Sequence, residues 1–227
     1  MSNTDIVRDF ARVSPSLVEQ ASKYQAAILA DVNGRRGAMH GRIQALRPRM
    51  KLAGPALTID VRPGDNLMIH AAMALAQPGD ILVIDGKADQ TAALMGTIMM
   101  TACRKLGIAG VVIDGAVRDS LELDEMDFPV FSVGTNPNGP TKQVAGRIGH
   151  PVTVGGVVVH SGDFVIADAD GVMVVERERL ESLLPLAAKK VADENARIAA
   201  IAEGKTGATW LAAALVNAGV LQPGEAL

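Results

Sequence analysis

Apolar and polar positions change their spacing twice along the chain. Near the N-terminus, short apolar groups at helical spacing predict two small helices, over Ser16–Tyr24 and Ala26–Val32. Ser16 and Glu19 stand at capping-box spacing, and Asn33-Gly34 ends the second helix. Arg35–Arg49 is basic and glycine-punctuated, which predicts a loop or short strand. From Ala53 onward, uniformly apolar runs alternate with helical spacing. Strands are expected at Pro55–Val61, Asp80–Gly86, Gly110–Asp114 and Pro129–Val133, and helices at Leu67–Ala76, Ala92–Leu106 and Asp119–Met126. Strands without a polar face suit an α/β core with parallel pairing, covered on both sides.

After Gly134 the pattern shortens. Asn136–Pro140 is turn chemistry, followed by short strands at Val152–Val154, Val157–His160, Phe164–Ala167 and Val172–Val175. These read as an antiparallel or mixed addition to the same sheet, because no linker intervenes. A long helix over Arg179–Ala202 and a short one over Thr209–Ala218 close the chain. The expectation is a single domain over 1–227, with an α/β core at 14–178 and C-terminal helices at 179–227.

Composition then removes several functions. The 22 Lys and Arg against 25 Asp and Glu give a net charge of -3, so no global positive field attracts nucleic acid or an anionic membrane. Aromatics are 3% of residues, too few for base-stacking platforms. The lone Cys103 excludes an internal disulfide and reads as a small buried thiol. Apolar runs such as Ala71–Ala76 fall far short of the roughly 20 residues that span a bilayer. The N-terminal segment has no apolar signal core, so a soluble cytoplasmic protein is expected.

Ligands of parallel sheets gather at the C-terminal ends of strands. Three such ends are polar here: Asp60/Arg62/Asp65/Asn66, Asp85/Lys87/Asp89/Gln90 and Asp114/Arg118/Asp119. The third places an arginine beside a carboxylate at a strand-to-helix turn. Arg118 can fork onto a substrate carboxylate, and Asp119 can hold Mg²⁺, which keeps most of its waters. The same pair can equally be a helix cap and a surface ion pair. Arginines 35, 36, 42, 47, 49 and 62 can face an anion or simply solvent. The four histidines show no paired ligand spacing, and nothing marks Lys87 or Lys142 as buried Schiff-base lysines.

Gly110–Asp119, with Leu94-Met95-Gly96 upstream and Val165–Val172 downstream, resembles the RraA-like family. That family includes class II 4-hydroxy-4-methyl-2-oxoglutarate/4-carboxy-4-hydroxy-2-oxoadipate aldolases and a ribonuclease-regulating branch. The resemblance runs over about Ser14–Ala202. It implies an α/β/α sandwich around a central mixed, barrel-like sheet with a C-terminal helical arm, assembled as homotrimers or hexamers. It also implies a small 2-oxo acid substrate and Mg²⁺ or Mn²⁺. By the resemblance, Arg118 binds and polarises the pyruvyl group and Asp119 orders the metal. Backbone N–H groups of Ile98 and Met99 cradle the substrate carboxylate, Gly96 and Thr97 belong to the same substrate-binding stretch, and Asn66 belongs to a neighbouring turn that also binds substrate. Glu194 stands where the family supplies an inter-subunit acid, although the alternating charge of its helix favours a solvated face.

One position departs from the pattern. The family's aldolases carry an Asp twenty-one positions before the arginine, and here that position is Thr97. A threonine cannot serve as an anionic base, whose contribution is typically 10²–10⁴-fold. Oxaloacetate decarboxylation forms the same pyruvate enolate without deprotonating a hydroxyl, so Thr97 moves the expectation toward an oxo-acid lyase in the broad sense. Asp65, Asp89 or Asp114 can be imagined as replacements. A non-catalytic regulator that binds protein partners, and a lyase for a different hydroxy-oxo acid, remain the alternatives.

Overall fold

The computed structural model describes residues 5–225, which fall into two compact units, the first ending at Ala187 and the second beginning at Ala188. Residues 1–4 and 226–227, the ends of the expected domain, lie outside the described residues. The first unit opens with α1 (Pro15–Ala21), α2 (Ala26–Val32), β1 (Gln44–Ala45) and β2 (Leu52–Asp60). It continues through α3 (Leu67–Met73), β3 (Ile81–Met95), α4 (Thr97–Lys105), β4 (Gly110–Val117), α5 (Ser120–Glu125) and β5 (Val130–Thr135). Five short strands follow: β6 (Arg147–Ile148), β7 (Val152–Val154), β8 (Val157–Val159), β9 (Phe164–Asp168) and β10 (Gly171–Val175). Then come α6 (Leu180–Ala202) and α7 (Leu211–Asn217).

The expected parallel core is present. Strands β2, β3, β4 and β5 lie side by side in chain order, each parallel to the next. Every residue of β4 is buried, its apolar positions and Asp114 alike, as a strand covered on both faces requires. The late strands extend this sheet antiparallel, giving the order β1-β5-β4-β3-β2-β9-β10 with β6 also on β2, while β7 and β8 form a separate hairpin. Strand β2 changes partners part-way, pairing β9 through Leu52–Pro55 and β3 from Ala56 onward. The far edges then approach one another: Ala38, upstream of β1, bridges Met173 of β10. The Val174 N–H donates to the Gly37 carbonyl, and Met39 N–H to that of Val172. Gly37, at φ +88, is needed there because a Cβ would strike the Val174 carbonyl oxygen. The mixed sheet is therefore curled nearly closed, and Phe131, Leu57, Ile59, Leu82 and Ile84 of its strands are fully buried.

Three expectations change. The first helix starts at Pro15 with Ser14 as its cap, accepting the Leu17 N–H at 3.3 Å, because proline suits a helix's first turn. Helix α3 ends at Met73 rather than Ala76. The largest change is β3, which runs to Met95 where a helix was expected from Ala92. Lys87 and Ala88 both take positive φ (61° and 58°), turning the strand so that Asp89, Ala93 and Met95 register with Gly115, Ala116 and Val117. Asn136 and Asn138 donate side-chain bonds to the Gln90 and Thr91 carbonyls, and Ala93 N–H donates to the Asn138 carbonyl. These distant partners satisfy a backbone that local spacing alone would have coiled.

Within the second unit, the Arg197 guanidinium donates to the Lys205, Thr206 and Gly207 carbonyls, each at 2.9 Å, tying the end of α6 to the loop before α7. None of the helices is long and apolar enough to cross a membrane among the described residues.

Candidate functional site

The long β3 delivers the chain to Gly96, where α4 begins beside the end of β4. Arg118 N–H donates to the Met95 carbonyl at 3.0 Å, which sets the two strand ends together. Asp119 follows in the left-handed region (φ 60, ψ 42), a conformation that Asp tolerates better than most residues. The turn aims its carboxylate back across the gap, and Oδ2 accepts the Thr97 N–H at 2.9 Å. Gly96 is extended, so its role is room: a Cβ would run into Asp119 Oδ2 and stand 2.9 Å from Arg118 Cγ.

A cleft of about 140 Å³ opens here, lined by Arg118, Asp119, Gly96, Ile98, Met99 and Asn66, together with His70, Pro140 and Lys142. Helix α4 makes its first intrahelical bond from Met100 N–H to the Gly96 carbonyl. The N–H groups of Thr97, Ile98 and Met99 therefore precede it, and Asp119 takes the first of them. Ile98 and Met99 N–H groups remain to receive an anion, helped by the helix dipole. Asp119 Oδ1 lies 3.7 Å from Arg118 Nε, beyond a hydrogen bond, and the Arg118 side chain is partly exposed.

The sequence-derived candidates separate as follows. Gly96, Ile98, Met99, Arg118, Asp119 and Asn66 share the cleft. Thr97 contributes its backbone N–H, while its Oγ1 is buried with no hydrogen-bond partner and its side chain does not line the cleft. Asn66, 2% exposed, does not cap α3; its Nδ2 donates to the Leu94 carbonyl at 2.9 Å and approaches Met99 Sδ at 3.2 Å. Its Oδ1 is buried without a partner, an acceptor waiting for a donor or a cation. Glu194 lies in the second unit, paired with Lys190 at 3.1 Å.

The proposed substitutes for the missing carboxylate are committed elsewhere. Asp114 is forked by Arg42 at 3.0 and 2.7 Å and accepts the Gly155 N–H. Asp89 accepts from Thr91. Burial alone would raise the Asp65 pKa, but hydrogen bonds from Thr141, Gln143, Leu67 and Val144 outweigh it and hold the group down at about 2. Arg47 and Arg49 are similarly engaged, both with Asp124. Burial pushes the Cys103 thiol up to about 12, in keeping with packing rather than reactivity.

His70 and Lys142 are cleft residues that the amino-acid sequence brought up only as a metal ligand and a Schiff-base lysine, and gave no reason to place here. Neither carries a motif, and they sit 72 positions apart. A metal would find no cage of three His, Cys, Asp or Glu side chains among the described residues. The donor set nonetheless suits Mg²⁺ or Mn²⁺, which accept one carboxylate, neutral oxygens and retained water. Asp119 Oδ1 and the unpartnered Asn66 Oδ1 are such oxygens.

Comparison with known proteins matches the RraA-like (Aldolase/RraA) family model to residues 14–174. This chain belongs to the RraA-like family. A Halalkalibacterium halodurans protein named "Putative 4-hydroxy-4-methyl-2-oxoglutarate aldolase" is 42% identical over 161 residues, covering 71% of this chain and 77% of that one. An Arabidopsis thaliana protein with the same style of name is 32% identical over 146 residues, 61% of this chain and 87% of its own. Among solved structures, a Streptomyces coelicolor member of the RNase ES inhibitor RraA protein family superposes with a TM-score of 0.76 at 26% identity, covering 83% of this chain and 99% of that one.

Proposed function

We propose that this RraA-like chain is a divalent-metal-dependent lyase that releases pyruvate from oxaloacetate, from 4-hydroxy-2-oxo diacids of the 4-hydroxy-4-methyl-2-oxoglutarate type, or from both. The observation that carries the reading is the joining of Arg118, Asp119 and the N-terminus of α4 around one cleft. The aldolase names of the relatives support the same reaction class. The Ile98 and Met99 N–H groups receive the substrate's 2-oxo carboxylate, and the Arg118 guanidinium faces the oxygen on which charge develops. Asp119 and Asn66 would hold the metal, which when bound supplies Lewis-acid polarisation of the 2-oxo group. Asp119 also fixes the helix terminus through the Thr97 N–H, so one carboxylate orders both halves of the site.

Thr97 decides the balance between substrates. Aldol cleavage requires removal of the C4 hydroxyl proton, for which the cleft lining offers no carboxylate except Asp119. Decarboxylation leaves the electron pair on C3 as CO₂ departs and needs no such base. The test is Mn²⁺- or Mg²⁺-dependent pyruvate release from both substrates by wild type, Arg118→Ala, Asp119→Asn and Thr97→Asp. Oxaloacetate turnover lost in Arg118→Ala is expected, with Thr97→Asp raising the aldol reaction. Silence in wild type and Thr97→Asp alike would defeat the lyase reading and favour a regulator that binds protein partners.

A further inference from the structure

Asparagine followed by glycine occurs twice in the chain, at Asn33-Gly34 and Asn138-Gly139. Such a pair can react with itself. The glycine nitrogen, with no Cβ beside it to obstruct the approach, attacks the asparagine Cγ. A Cγ–N bond forms, the Cγ–Nδ2 bond breaks and ammonia leaves, closing a succinimide ring. Water then opens the ring at either carbonyl to give aspartate or isoaspartate, each with a new negative charge. Water is the only co-reactant.

The fold treats the two pairs differently. Asn33 is 5% exposed at the end of α2, and its Nδ2 donates to the Arg36 carbonyl at 2.9 Å. The Gly34 N–H is committed to the Asp31 carbonyl at 3.2 Å. Ring closure there waits for local unfolding. Asn138 and Gly139 are both exposed, in a segment outside the helices and strands. Asn138 N–H donates to Asn136 Oδ1 at 2.8 Å, its carbonyl accepts from Ala93, and its Nδ2 reaches the Thr91 carbonyl at 3.0 Å through an exposed bond. None of these engages the attacking nitrogen, because among the described residues the Gly139 N–H has no hydrogen-bond partner.

The location gives the reaction a consequence. A Cβ on Gly139 would stand 2.9 Å from Arg118 Nη1, so this backbone lies against the guanidinium, and the next residue, Pro140, lines the cleft. The Arg118 guanidinium is partly exposed and makes no hydrogen bond among the described residues. An isoaspartate adds a main-chain methylene one residue before that contact. Either product also replaces an amide donor by a carboxylate, which the Thr91 carbonyl repels and the guanidinium attracts.

We propose that Asn138-Gly139 is a self-modification site, and that its conversion draws Arg118 away from the anion that the cleft receives. The second clause rests on the lyase reading of Arg118, and the first does not. The full chain, folded and separately unfolded in urea, is aged in mildly alkaline buffer and digested. Mass spectrometry with fragmentation that separates aspartate from isoaspartate then follows both pairs. In the folded protein Asn138 is expected to convert about tenfold faster than Asn33 or more, and in urea the two rates should agree within about threefold. Equal rates in the folded protein, or a faster Asn33, overturn the assignment. Isothermal titration with oxalate in the presence of Mn²⁺ reads the consequence. Asn138→Asp is expected to bind about tenfold more weakly, and aged wild type to lose binding in step with its converted fraction. Asn138→Ser lacks the amide but adds no charge and cannot close the ring. It should bind within about threefold of wild type and keep that affinity on ageing. Unchanged affinity in Asn138→Asp and in aged wild type overturns the link to Arg118. Fresh wild type that binds no oxalate defeats that link together with the lyase reading, while peptide mapping decides the modification by itself.

Discussion

At the scale of single residues, the site depends on close approach. Gly96→Ala places a methyl group against Asp119 Oδ2 and Arg118 Cγ, so the arginine or the helix terminus must shift. Overpacking of this kind costs about 1–3 kcal/mol, and a displacement near 1 Å at a reacting centre costs about 10²-fold in rate. Chemical denaturation and pyruvate release would check the two effects separately. Asp119→Asn is the more informative partner variant, since Asn also tolerates the left-handed backbone and removes only the charge. Wild type is expected to gain thermal stability from Mn²⁺ with pyruvate or oxalate, and Asp119→Asn to lose that gain. A gain of equal size in the variant would argue against Asp119 as the metal-ordering group. Asp65 carries its own pH signature. Its folded pKa of about 2 lies below the unfolded value of about 3.9. Its contribution to stability is therefore complete above about pH 4 and is lost as pH falls toward 2. Acid-denaturation curves of wild type should show this component, and those of Asp65→Asn should lack it.

At the scale of elements, a few polar anchors hold irregular segments against the sheet. Arg42, in the loop before β1, forks onto Asp114 in β4, and Asp114 also receives the Gly155 N–H from the β7–β8 turn. The Asp114 side chain is 3% exposed. Arg42→Met strands a buried charge, and about 3–5 kcal/mol of stability is expected to go with it. Denaturant titration measures the loss, and a double-mutant cycle with Asp114→Asn should show strong coupling. Lys87 has a related task, reaching both Asp60 and Asp85 across the turn that redirects β3. The ion pairs raise its pKa against the lowering effect of burial, so the side chain serves as a cationic staple rather than an amine nucleophile. These anchors explain why the expected helix at Ala92 became strand: Asn136, Asn138 and β4 supply its backbone partners.

For the molecule as a whole, the curled sheet brings three separate strand-end regions to one cleft: the turn before α3, the β3–α4 junction and the β4–α5 turn. Two large apolar residues, Ile98 (84% exposed) and Leu121 (73%), stand on α4 and α5, the helices that start beside the cleft. A homotrimer or hexamer, as the family resemblance implies, would cover surfaces of this kind. Light scattering should then return three or six times the 23.6 kDa chain mass, and Leu121→Asp should shift the population toward smaller species. A monomer at all concentrations would defeat that expectation.

Much of this architecture was legible from local chemistry. Uniform apolar runs are a direct record of strands buried on both faces, so the parallel core and the order of its helices followed from the amino-acid sequence. Arg118 and Asp119 are adjacent in the chain, and the strand-to-helix turn at their position was visible from Gly110–Asp119. The position of Thr97 relative to Arg118 was equally readable. The tertiary structure decided what depends on partners far away. It extended β3 through residues whose spacing looked helical, and it moved the first helix cap to Ser14 beside Pro15. It committed Asp65, Asp89 and Asp114 to bonds of their own, and it brought His70 and Lys142 to the cleft. Side-chain periodicity reports whether a position is buried. It carries no information on which distant loop a buried carboxylate such as Asp65 will bind.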